Sequence, residues 1–487
     1  MREKKTEKDY SKGIQKKNSL CPVAGKCGGC RYINRDYQEL VKKKAKELAK
    51  LMEPFCKTEA FIGMEAPVHY RNKVHAAFGE DRKHNMISGI YEAGSHRIVP
   101  LDSCYIENEK ADAIIVTIRK LAKDFKIRAY NEDTGYGLLR HVMIRTGHVT
   151  GEIMVVLVLA SPILPSKNHF VKALRKIHPE ITTVVINVNN RGTSMVLGDR
   201  EQVIYGKGYI EDVLCGKTFR ISPKSFYQVN PVQTELLYGK AMEYAGLTGK
   251  ETVVDAYCGT GTIGIIAADH AKKVIGVELN KDAVKDACMN AKQNQVNNIS
   301  FYQNDAGVFL VGMAAQKEKV DVVFMDPPRS GSSEAFLHSV CTMLPERVVY
   351  ISCNPETLVR DLKVLKKNYE VKRAVGVDMF PFTEHVETVV LLSQRKADDY
   401  VEVELELDEL DVTSAESKAT YAEIKDYVLK EHGLKVPNLY ISQVKRKCGI
   451  EVGENYNLPK SEDSRQPQCP EEKEKAIRDA LEHFGMV

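Results

Sequence analysis

Long apolar stretches are absent from this chain of 487 residues, in which 43% of the residues are hydrophobic and 28% are charged. A membrane helix needs about eighteen consecutive apolar residues, and no such run occurs. The chain starts with Met-Arg-Glu-Lys-Lys and has no apolar segment behind it, so we also expect no secretory signal peptide. The composition therefore favours a globular cytoplasmic protein without a membrane partner, long enough for two or three domains.

Cysteine is sparse as well. The chain has twelve cysteines, too few for a disulfide scaffold at this length. In a reducing compartment, grouped cysteines more often bind metal or do chemistry. We expect the ungrouped ones to be structural: Cys56, Cys215, Cys288, Cys341, Cys448 and Cys469.

Basic side chains are missing from one region, residues 398–411, which holds eight acidic side chains. Because the net charge of the whole chain is +4, the remainder carries +12. The first twenty residues contain seven Lys or Arg against three acids. This surplus suits a polyanionic partner such as RNA, although a solvated basic tail explains residues 1–18 equally well.

The amino-terminal half divides into two predicted regions. Residues 1–18 are a basic flexible arm, and residues 19–215 form a β-rich domain. The latter begins with an amphipathic helix at 36–53, whose lysines lie opposite its apolar face. From about residue 68, short β-rich runs broken by Gly, Asn and Pro indicate mainly antiparallel strands.

The second half has a different pattern. In residues 216–396, apolar runs alternate with helical stretches, which predicts a doubly wound α/β domain with a mostly parallel sheet. The apolar runs are 252–256, 274–277, 320–325, 347–352 and 388–392. Residues 397–487 are expected to be an acidic linker, or one edge strand, followed by a helical appendage with helices at 421–432 and 471–484.

A glycine-rich turn follows the first strand of this sheet. The segment 253–264 is a strand, a turn and a helix start, and the next strand ends near Glu278. In a doubly wound sheet, ligands bind at these carboxyl ends, where an acid can accept ribose hydroxyls. A dinucleotide fits the glycines too, but Asp-Pro-Pro-Arg at 326–329 is typical of S-adenosylmethionine-dependent methyltransferases. We expect Tyr257 to line the pocket, and Asp305 to contact adenine or to be a surface turn residue.

A cysteine and a glutamate near the ends of predicted strands are the candidate catalytic residues. Ser-Cys-Asn-Pro at 352–355 places Cys353 after a strand, and His-Val-Glu at 385–387 places Glu387 before one. Methylation at C5 of uracil requires a thiolate that adds at C6 and a base that removes the C5 proton. Cys353 and Glu387 are the predicted pair. The rival bases are Glu384 and His385.

These motifs resemble the RNA (uracil-5-)-methyltransferase family over most of 21–393. The resemblance implies that Cys353 is the nucleophile and Glu387 the base. Phe-Tyr-Gln-Val-Asn at 226–230 is similar to the family segment whose glutamine, here Gln228, contacts the cofactor. It further implies the class I S-adenosylmethionine-dependent methyltransferase fold for 216–396, with cofactor-binding positions at Tyr257, Glu278 and Asp326.

Four cysteines form a candidate metal site. Cys21, Cys27 and Cys30 have the spacing C-x5-C-x2-C, and Cys104 is a possible distant fourth ligand. Four thiolates can hold zinc or an iron–sulfur cluster, and the spacing does not decide between them. The resemblance to ribosomal-RNA members of the family implies a [4Fe-4S] cluster in a structural or RNA-facing role, and so makes the β-rich region 19–215 an iron–sulfur, RNA-binding domain.

The sequence thus predicts a cytoplasmic, monomeric enzyme that methylates a uridine in 23S rRNA. Two alternatives stay open: a tRNA uracil-5-methyltransferase, and a ribosome-assembly protein that only binds RNA. Methylation of an amine is disfavoured because such enzymes use an aromatic residue where this chain has Arg329. We expect no room before Cys21 for the small RNA-binding barrel of some members, which leaves the target position open.

Overall fold

The computed structural model describes residues 20–191, 195–395, 421–448, 450, 469–484 and 486. Residues 1–399 and 400–487 form two compact units. The predicted basic arm at 1–18 and the acidic stretch at 398–411, with its alternative edge strand, lie outside the described residues. Within the described part, no helix is long and apolar enough to cross a membrane.

The first helix, α1, is Tyr37–Met52 and confirms the helix predicted at 36–53. Its buried residues recur at every fourth position, so that they share one face: Leu40, Lys44, Leu48 and Met52. The prediction that the lysines lie opposite the apolar face was wrong for Lys44, which is only 1% exposed. A polar partner inside the protein must therefore compensate its charge.

The first sheet has seven strands, packed against two helices, α2 (Glu109–Asp124) and α3 (Lys167–Ile177). The strands are β1 Lys73–Glu80, β2 Met86–Tyr91, β3 Ile98–Pro100, β4 Leu139–Thr146, β5 Ile153–Leu159, β6 Ile181–Val188 and β7 Arg200–Tyr205. Their spatial order is β3-β2-β1-β4-β5-β6-β7. All neighbours are antiparallel except β5 and β6, which are parallel because α3 carries the chain back across the sheet.

A hairpin of β8 (Ile210–Leu214) and β9 (Lys217–Ile221) follows the first sheet. Asp212 on β8 is buried and accepts a hydrogen bond from the backbone N–H of His148, at 2.9 Å. On β9, the Arg220 N–H donates to Asn290 in the second half, at 2.8 Å. The domain boundary predicted at 215/216 therefore lies in the turn of this hairpin. One strand of the hairpin is hydrogen-bonded to the first half of the chain and the other strand to the second half.

The second sheet also has seven strands, β10 Thr252–Ala256, β11 Lys273–Glu278, β12 Ile299–Gln303, β13 Val322–Met325, β14 Arg347–Ser352, β15 Tyr369–Val377 and β16 Glu387–Gln394. Their order is β12-β11-β10-β13-β14-β16-β15. The first five are parallel, as predicted. The run at 388–392 is not: it belongs to β16, which is antiparallel to both of its neighbours.

Six helices accompany this sheet: α4 Pro231–Ala245, α5 Thr262–Ala267, α6 Lys281–Gln293, α7 Ala306–Ala315, α8 Glu334–Met343 and α9 Pro355–Leu365. Alternate residues of the strands contribute to two separate apolar cores, so that Val253 lies in one and Val254 in the other. Both faces of the sheet are thus covered, which confirms the doubly wound arrangement.

The second unit contains three described helices, α10 Tyr421–His432, α11 Asn438–Lys447 and α12 Glu471–His483. α10 and α12 confirm the predicted helices. α11 was missed because its last turn, Lys445-Arg446-Lys447, looks like a basic loop in the sequence. Ile441 and Val444 are nevertheless fully buried against the other two helices.

Candidate active site

Five of the predicted site residues come from one edge of the second sheet, and the sixth, Gln228, comes from the segment between β9 and α4. The carboxyl ends of parallel strands meet at the same edge, and β10, β11, β13 and β14 lead there to Tyr257, Glu278, Asp326 and Cys353. Glu387 begins β16, which runs in the opposite direction beside β14, with Ser352 paired to Thr388. The antiparallel direction of β16 is therefore what brings Glu387 to this edge.

A cavity of about 720 Å³ lies at that edge, and residues of the loop before β16 also line it. Its lining includes the two predicted catalytic residues and the four predicted cofactor-binding residues: Cys353, Glu387, Gln228, Tyr257, Glu278 and Asp326. Its size is within the ordinary range for pockets that bind small molecules.

The glycine-rich turn and Glu278 form one end of the cavity. The Gly259 N–H donates to Oε2 of Glu278, at 3.1 Å, and the Asn280 N–H donates to Oε1, at 2.7 Å. Both bonds fix the orientation of the carboxylate, which keeps further lone pairs for a ligand's hydroxyls. Gly261 has φ +80°, and a Cβ there would meet the Phe301 ring at 2.8 Å, so the close turn requires glycine.

Asp305 is outside the cavity lining. Its side chain caps α7 by accepting the Gly307 and Val308 N–H groups, at 2.9 and 3.1 Å. Asp305 was expected either to contact adenine or to be a surface turn residue. The structure supports the second expectation, because the residue caps the start of a helix.

Three acidic groups share the other end of the cavity. Burial raises the pKa of the Cys353 thiol to about 11, and the negative charges of Glu387 and Asp326 add to this effect. Burial, with the Asp326 charge, also raises the pKa of Glu387 to about 8. Burial raises the pKa of Asp326 to about 7. Because burial and, for Cys353 and Glu387, neighbouring negative charge disfavour ionisation, the site favours the protonated forms.

Arg329 is the basic residue that opposes this effect, and its charge lowers the pKa of both Cys353 and Glu387. Its guanidinium donates to Nε2 of His385, at 3.0 Å. Burial and then Arg329 lower the pKa of His385, so the imidazole stays neutral as an acceptor. Of the two rival bases, His385 is thus engaged with Arg329, and Glu384 is exposed and outside the cavity lining.

The four predicted metal-binding cysteines line a second, smaller cavity of about 240 Å³: Cys21, Cys27, Cys30 and Cys104. Burial raises the pKa of Cys30 to about 12, and charges on Cys27 and Cys21 raise it further, so these thiols are neighbours. In the described part of the chain, however, no three His, Cys, Asp or Glu side chains are grouped to hold a single metal ion.

The two cavities adjoin, because Gly29 and Arg71 line both. Sequence reasoning missed Arg71, which stands in no recognisable motif. It also missed Phe380 and Thr383, which line the larger cavity from the loop between β15 and β16. The chain offers no local signal for these residues, because tertiary folding alone brings them to the site.

Comparison with known proteins now identifies the family. The family model described as tRNA (Uracil-5-)-methyltransferase matches residues 36–395. An uncharacterized RNA methyltransferase of Halalkalibacterium halodurans is 44% identical over 378 residues, which are 76% of this chain and 82% of that protein. A protein of Bacillus cereus with the same description is 41% identical over 391 residues, or 79% of this chain and 85% of that one.

A solved structure agrees with these relatives. The tRNA (uracil-54, C5)-methyltransferase of Pyrococcus abyssi, in complex with S-adenosyl-L-homocysteine, matches with a TM-score of 0.63 and 27% identity, over 76% of this chain and 86% of that chain. The doubly wound half therefore has the class I fold of S-adenosylmethionine-dependent methyltransferases, as predicted. The chain belongs to the tRNA (uracil-5-)-methyltransferase family and is an S-adenosylmethionine-dependent RNA (uracil-5-)-methyltransferase.

Proposed function

We propose that this chain, a cytoplasmic monomer, methylates C5 of a specific uridine in 23S rRNA through a covalent adduct on Cys353. The observation that carries the proposal is a thiol and a buried carboxyl, Cys353 and Glu387, on one enclosed cavity beside Asp326 and Arg329. C5 of uracil is a poor nucleophile, so addition at C6 must precede methylation, and a C5 proton must be removed afterwards. A thiol and a carboxyl supply those two steps.

The uridine must leave the RNA stack to enter this cavity, as in other enzymes that act on a base. Cys353 first loses its proton to solvent, helped by Arg329, because the thiolate is the nucleophile. The thiolate then forms a bond to C6, and the electrons of the C5–C6 double bond move onto the O4 enolate. C5 is now nucleophilic and would take the methyl group as the enolate returns to the O4 carbonyl. The bond from that methyl group to the sulfonium sulfur of S-adenosylmethionine would break, and the electron pair would stay on the sulfur of S-adenosylhomocysteine.

Glu387 completes the cycle. In its ionised form it takes the C5 proton, the C5–C6 double bond forms again, and the C6–S bond breaks with its electron pair returning to Cys353. Glu387 then releases the proton to solvent. A carboxyl whose pKa is raised by burial is a stronger base than an ordinary glutamate, which suits it to remove a carbon-bound proton.

The residues around the glycine turn fit the methyl donor. Glu278 would hold the ribose hydroxyls, Tyr257 and Gln228 would line the cofactor's site, and Asp326 would accept from the cofactor amine or the uracil edge. Bound S-adenosylmethionine supplies the methyl group and a positive charge that favours the ionised forms of Cys353 and Glu387.

We further propose that Cys21, Cys27, Cys30 and Cys104 hold a [4Fe-4S] cluster. The donor set fits, because four thiols face one cavity and cysteine thiolates are the usual ligands of such clusters. Two basic side chains line the same cavity and would balance the negative charge of a ligated cluster, Arg71 and Lys73. The cluster would support the segment that separates the two cavities, and so would face the RNA.

Metal analysis tests the cluster. We expect protein purified without oxygen to contain about four iron and four sulfide per chain and to show the broad visible absorbance of an iron–sulfur cluster. Cys30→Ser should lose both, whereas Cys56→Ser, at an ungrouped cysteine, should keep them. Stoichiometric zinc in place of iron would contradict the proposal.

The cysteine set favours ribosomal RNA as the substrate, since ribosomal-RNA members of the family carry it. A specific observation favours transfer RNA instead, because the Pyrococcus abyssi protein is described as a tRNA methyltransferase. Mass-spectrometric mapping of 5-methyluridine in cells with and without the gene separates the two. Loss of 5-methyluridine at a 23S position supports the proposal. Loss only in transfer RNA would make transfer RNA the substrate, and loss in neither RNA favours the RNA-binding alternative.

A further inference from the structure

The loop between β15 and β16, residues 378–386, is defined here as the base loop because it leads directly into Glu387. It begins and ends at a strand pair, Val377 with Glu387. Three of its side chains line the larger cavity: Phe380, Thr383 and His385. Phe382 has φ +65°, a left-handed conformation that a bulky residue rarely adopts. The conformation of this loop therefore needs support from its surroundings.

That support comes from residues far away in the sequence. Four successive backbone carbonyl groups of the loop each accept a hydrogen bond from a side chain outside the loop. Gln233 Nε2 donates to the Asp378 carbonyl at 3.2 Å, Asn230 Nδ2 to Met379 at 3.0 Å, Lys44 Nζ to Phe380 at 3.2 Å, and Tyr70 Oη to Pro381 at 3.2 Å. The loop is thus tied to its surroundings along its backbone, in addition to its own short-range bonds, such as that from Thr383 Oγ1 to the Phe380 carbonyl at 2.8 Å.

Lys44 is the residue that joins the two ends of the base loop. Its Nζ donates to the Oδ1 of Asp378 at 2.7 Å and to the carbonyl of His385 at 2.9 Å. With the bond to the Phe380 carbonyl, the three protons of the ammonium group have three acceptors in the loop. His385 is two residues before Glu387, so Lys44 fixes the backbone that leads to the base.

The ion pair of Lys44 and Asp378 is buried, with the side chains 2% and 0% exposed. The other oxygen of Asp378 accepts from Tyr37 Oη on the same helix, at 2.9 Å. A buried ion pair is a poor source of stability compared with apolar packing, because both charges lose water. Such a pair is better explained by the geometry that it imposes, here on the base loop.

We propose that Lys44 is a positioning residue for the reaction, which holds the base loop so that Glu387 reaches the C5 proton. The inference rests on the proposed function, in which Glu387 is the base. Lys44 does not itself line the cavity, and it contacts the lining residues Phe380 and His385 only at their backbone carbonyls in the base loop, so its loss should spare addition and methyl transfer and slow the final proton removal. Misplacing a reacting group by about 1 Å can cost roughly 10²-fold in rate.

The test compares Lys44→Met with Lys46→Met, an exposed lysine of the same helix. Each variant is incubated with S-adenosylmethionine and substrate RNA, and the RNA-linked protein is measured on denaturing gels together with the melting temperature. We expect Lys44→Met to lose about 10²-fold in kcat and to accumulate the covalent adduct, with RNA affinity unchanged. Lys46→Met should behave as the parent enzyme.

Glu387→Gln is the reference for the adduct. If Glu387→Gln accumulates adduct and a folded Lys44→Met does not, the positioning role is wrong and the proposed function stands. If Glu387→Gln forms no adduct, the proposed mechanism itself fails and the inference with it. Should Lys44→Met not fold because Asp378 is left unpaired, Lys44→Met/Asp378→Asn removes both charges and carries the same prediction.

Discussion

The two sides of the active cavity are constructed differently. On one side, Glu278, Asp326 and Cys353 lie at or directly after the carboxyl ends of parallel strands, so the sheet itself fixes their positions. On the other side, the base loop delivers Glu387 and is held by donors that come from α1, from Tyr70 and from the start of α4. On the strand side, each residue is positioned by the strand that ends directly before it. On the loop side, Glu387 is positioned by contacts from distant parts of the first unit. Changes on the strand side should therefore act locally, and changes at the loop side should act from a distance.

The largest expected effect is at the strand side. Cys353→Ala removes the only thiol that the proposed mechanism uses, so we expect turnover to fall at least about 10³-fold and no covalent adduct to form. Cys341→Ala changes a half-buried cysteine outside the cavity lining and should leave turnover close to the parent value. Single-turnover methyl transfer from labelled S-adenosylmethionine measures both. A fully active Cys353→Ala enzyme would rule out covalent catalysis.

The next effect is at the loop side. Glu387→Gln keeps the shape of the side chain but cannot take the C5 proton, so the adduct should accumulate while turnover falls by roughly 10²- to 10⁴-fold. Glu384→Gln, at the exposed glutamate of the same loop, should turn over normally and release its RNA. Denaturing gels with labelled RNA distinguish the two variants. Adduct accumulation in Glu384→Gln instead would move the base to that residue.

A smaller effect is expected at the cofactor end of the strand side. Glu278→Gln replaces one carboxylate oxygen by an NH₂ group that can no longer accept, so S-adenosylhomocysteine should bind about 10-fold more weakly, from the loss of a charge-assisted hydrogen bond. Isothermal titration with S-adenosylhomocysteine gives this value directly. Asp305→Asn, at the cap of α7, should leave the affinity unchanged. Equal losses in both variants would show that Glu278 has no special contact with the cofactor.

The smallest effect separates stability from catalysis at Glu387. Its pKa is raised from 4.5 to about 8 in the folded protein, so the folded state keeps a proton that the unfolded state releases above about pH 4.5. The free energy of unfolding therefore falls as the pH rises from 4.5 to 8. Glu387→Gln cannot ionise, so it should melt a few degrees higher than the parent at pH 8 and at the same temperature at pH 4. If the melting temperatures of the parent and of Glu387→Gln differ by the same amount at both pH values, the burial of this carboxyl group is contradicted.

The contrast also explains what the sequence could predict. Strands β10 and β14 were predicted with their observed bounds, because short apolar runs before Gly, Asp-Pro or Cys-Asn-Pro are local signals. The direction of β16 was not predictable, since a buried strand shows the same apolar run at 388–392 whether it is parallel or antiparallel to its neighbours. Lys44 was assigned to the outer face because a lysine is usually exposed, although its spacing from Leu40 and Leu48 puts it on the buried face. The sequence does not show the Asp378 that pairs with it, 334 residues away. Contacts over such distances are fixed only by the complete fold.

The covalent step is the central claim, and one measurement tests it most directly. Glu387→Gln protein is incubated with S-adenosylmethionine and substrate RNA, digested with nuclease and protease, and analysed by tandem mass spectrometry. The account predicts a methylated uridine nucleotide on the peptide that contains Cys353, attached to that residue. An adduct on another cysteine, or methylated RNA released without any adduct, would contradict it.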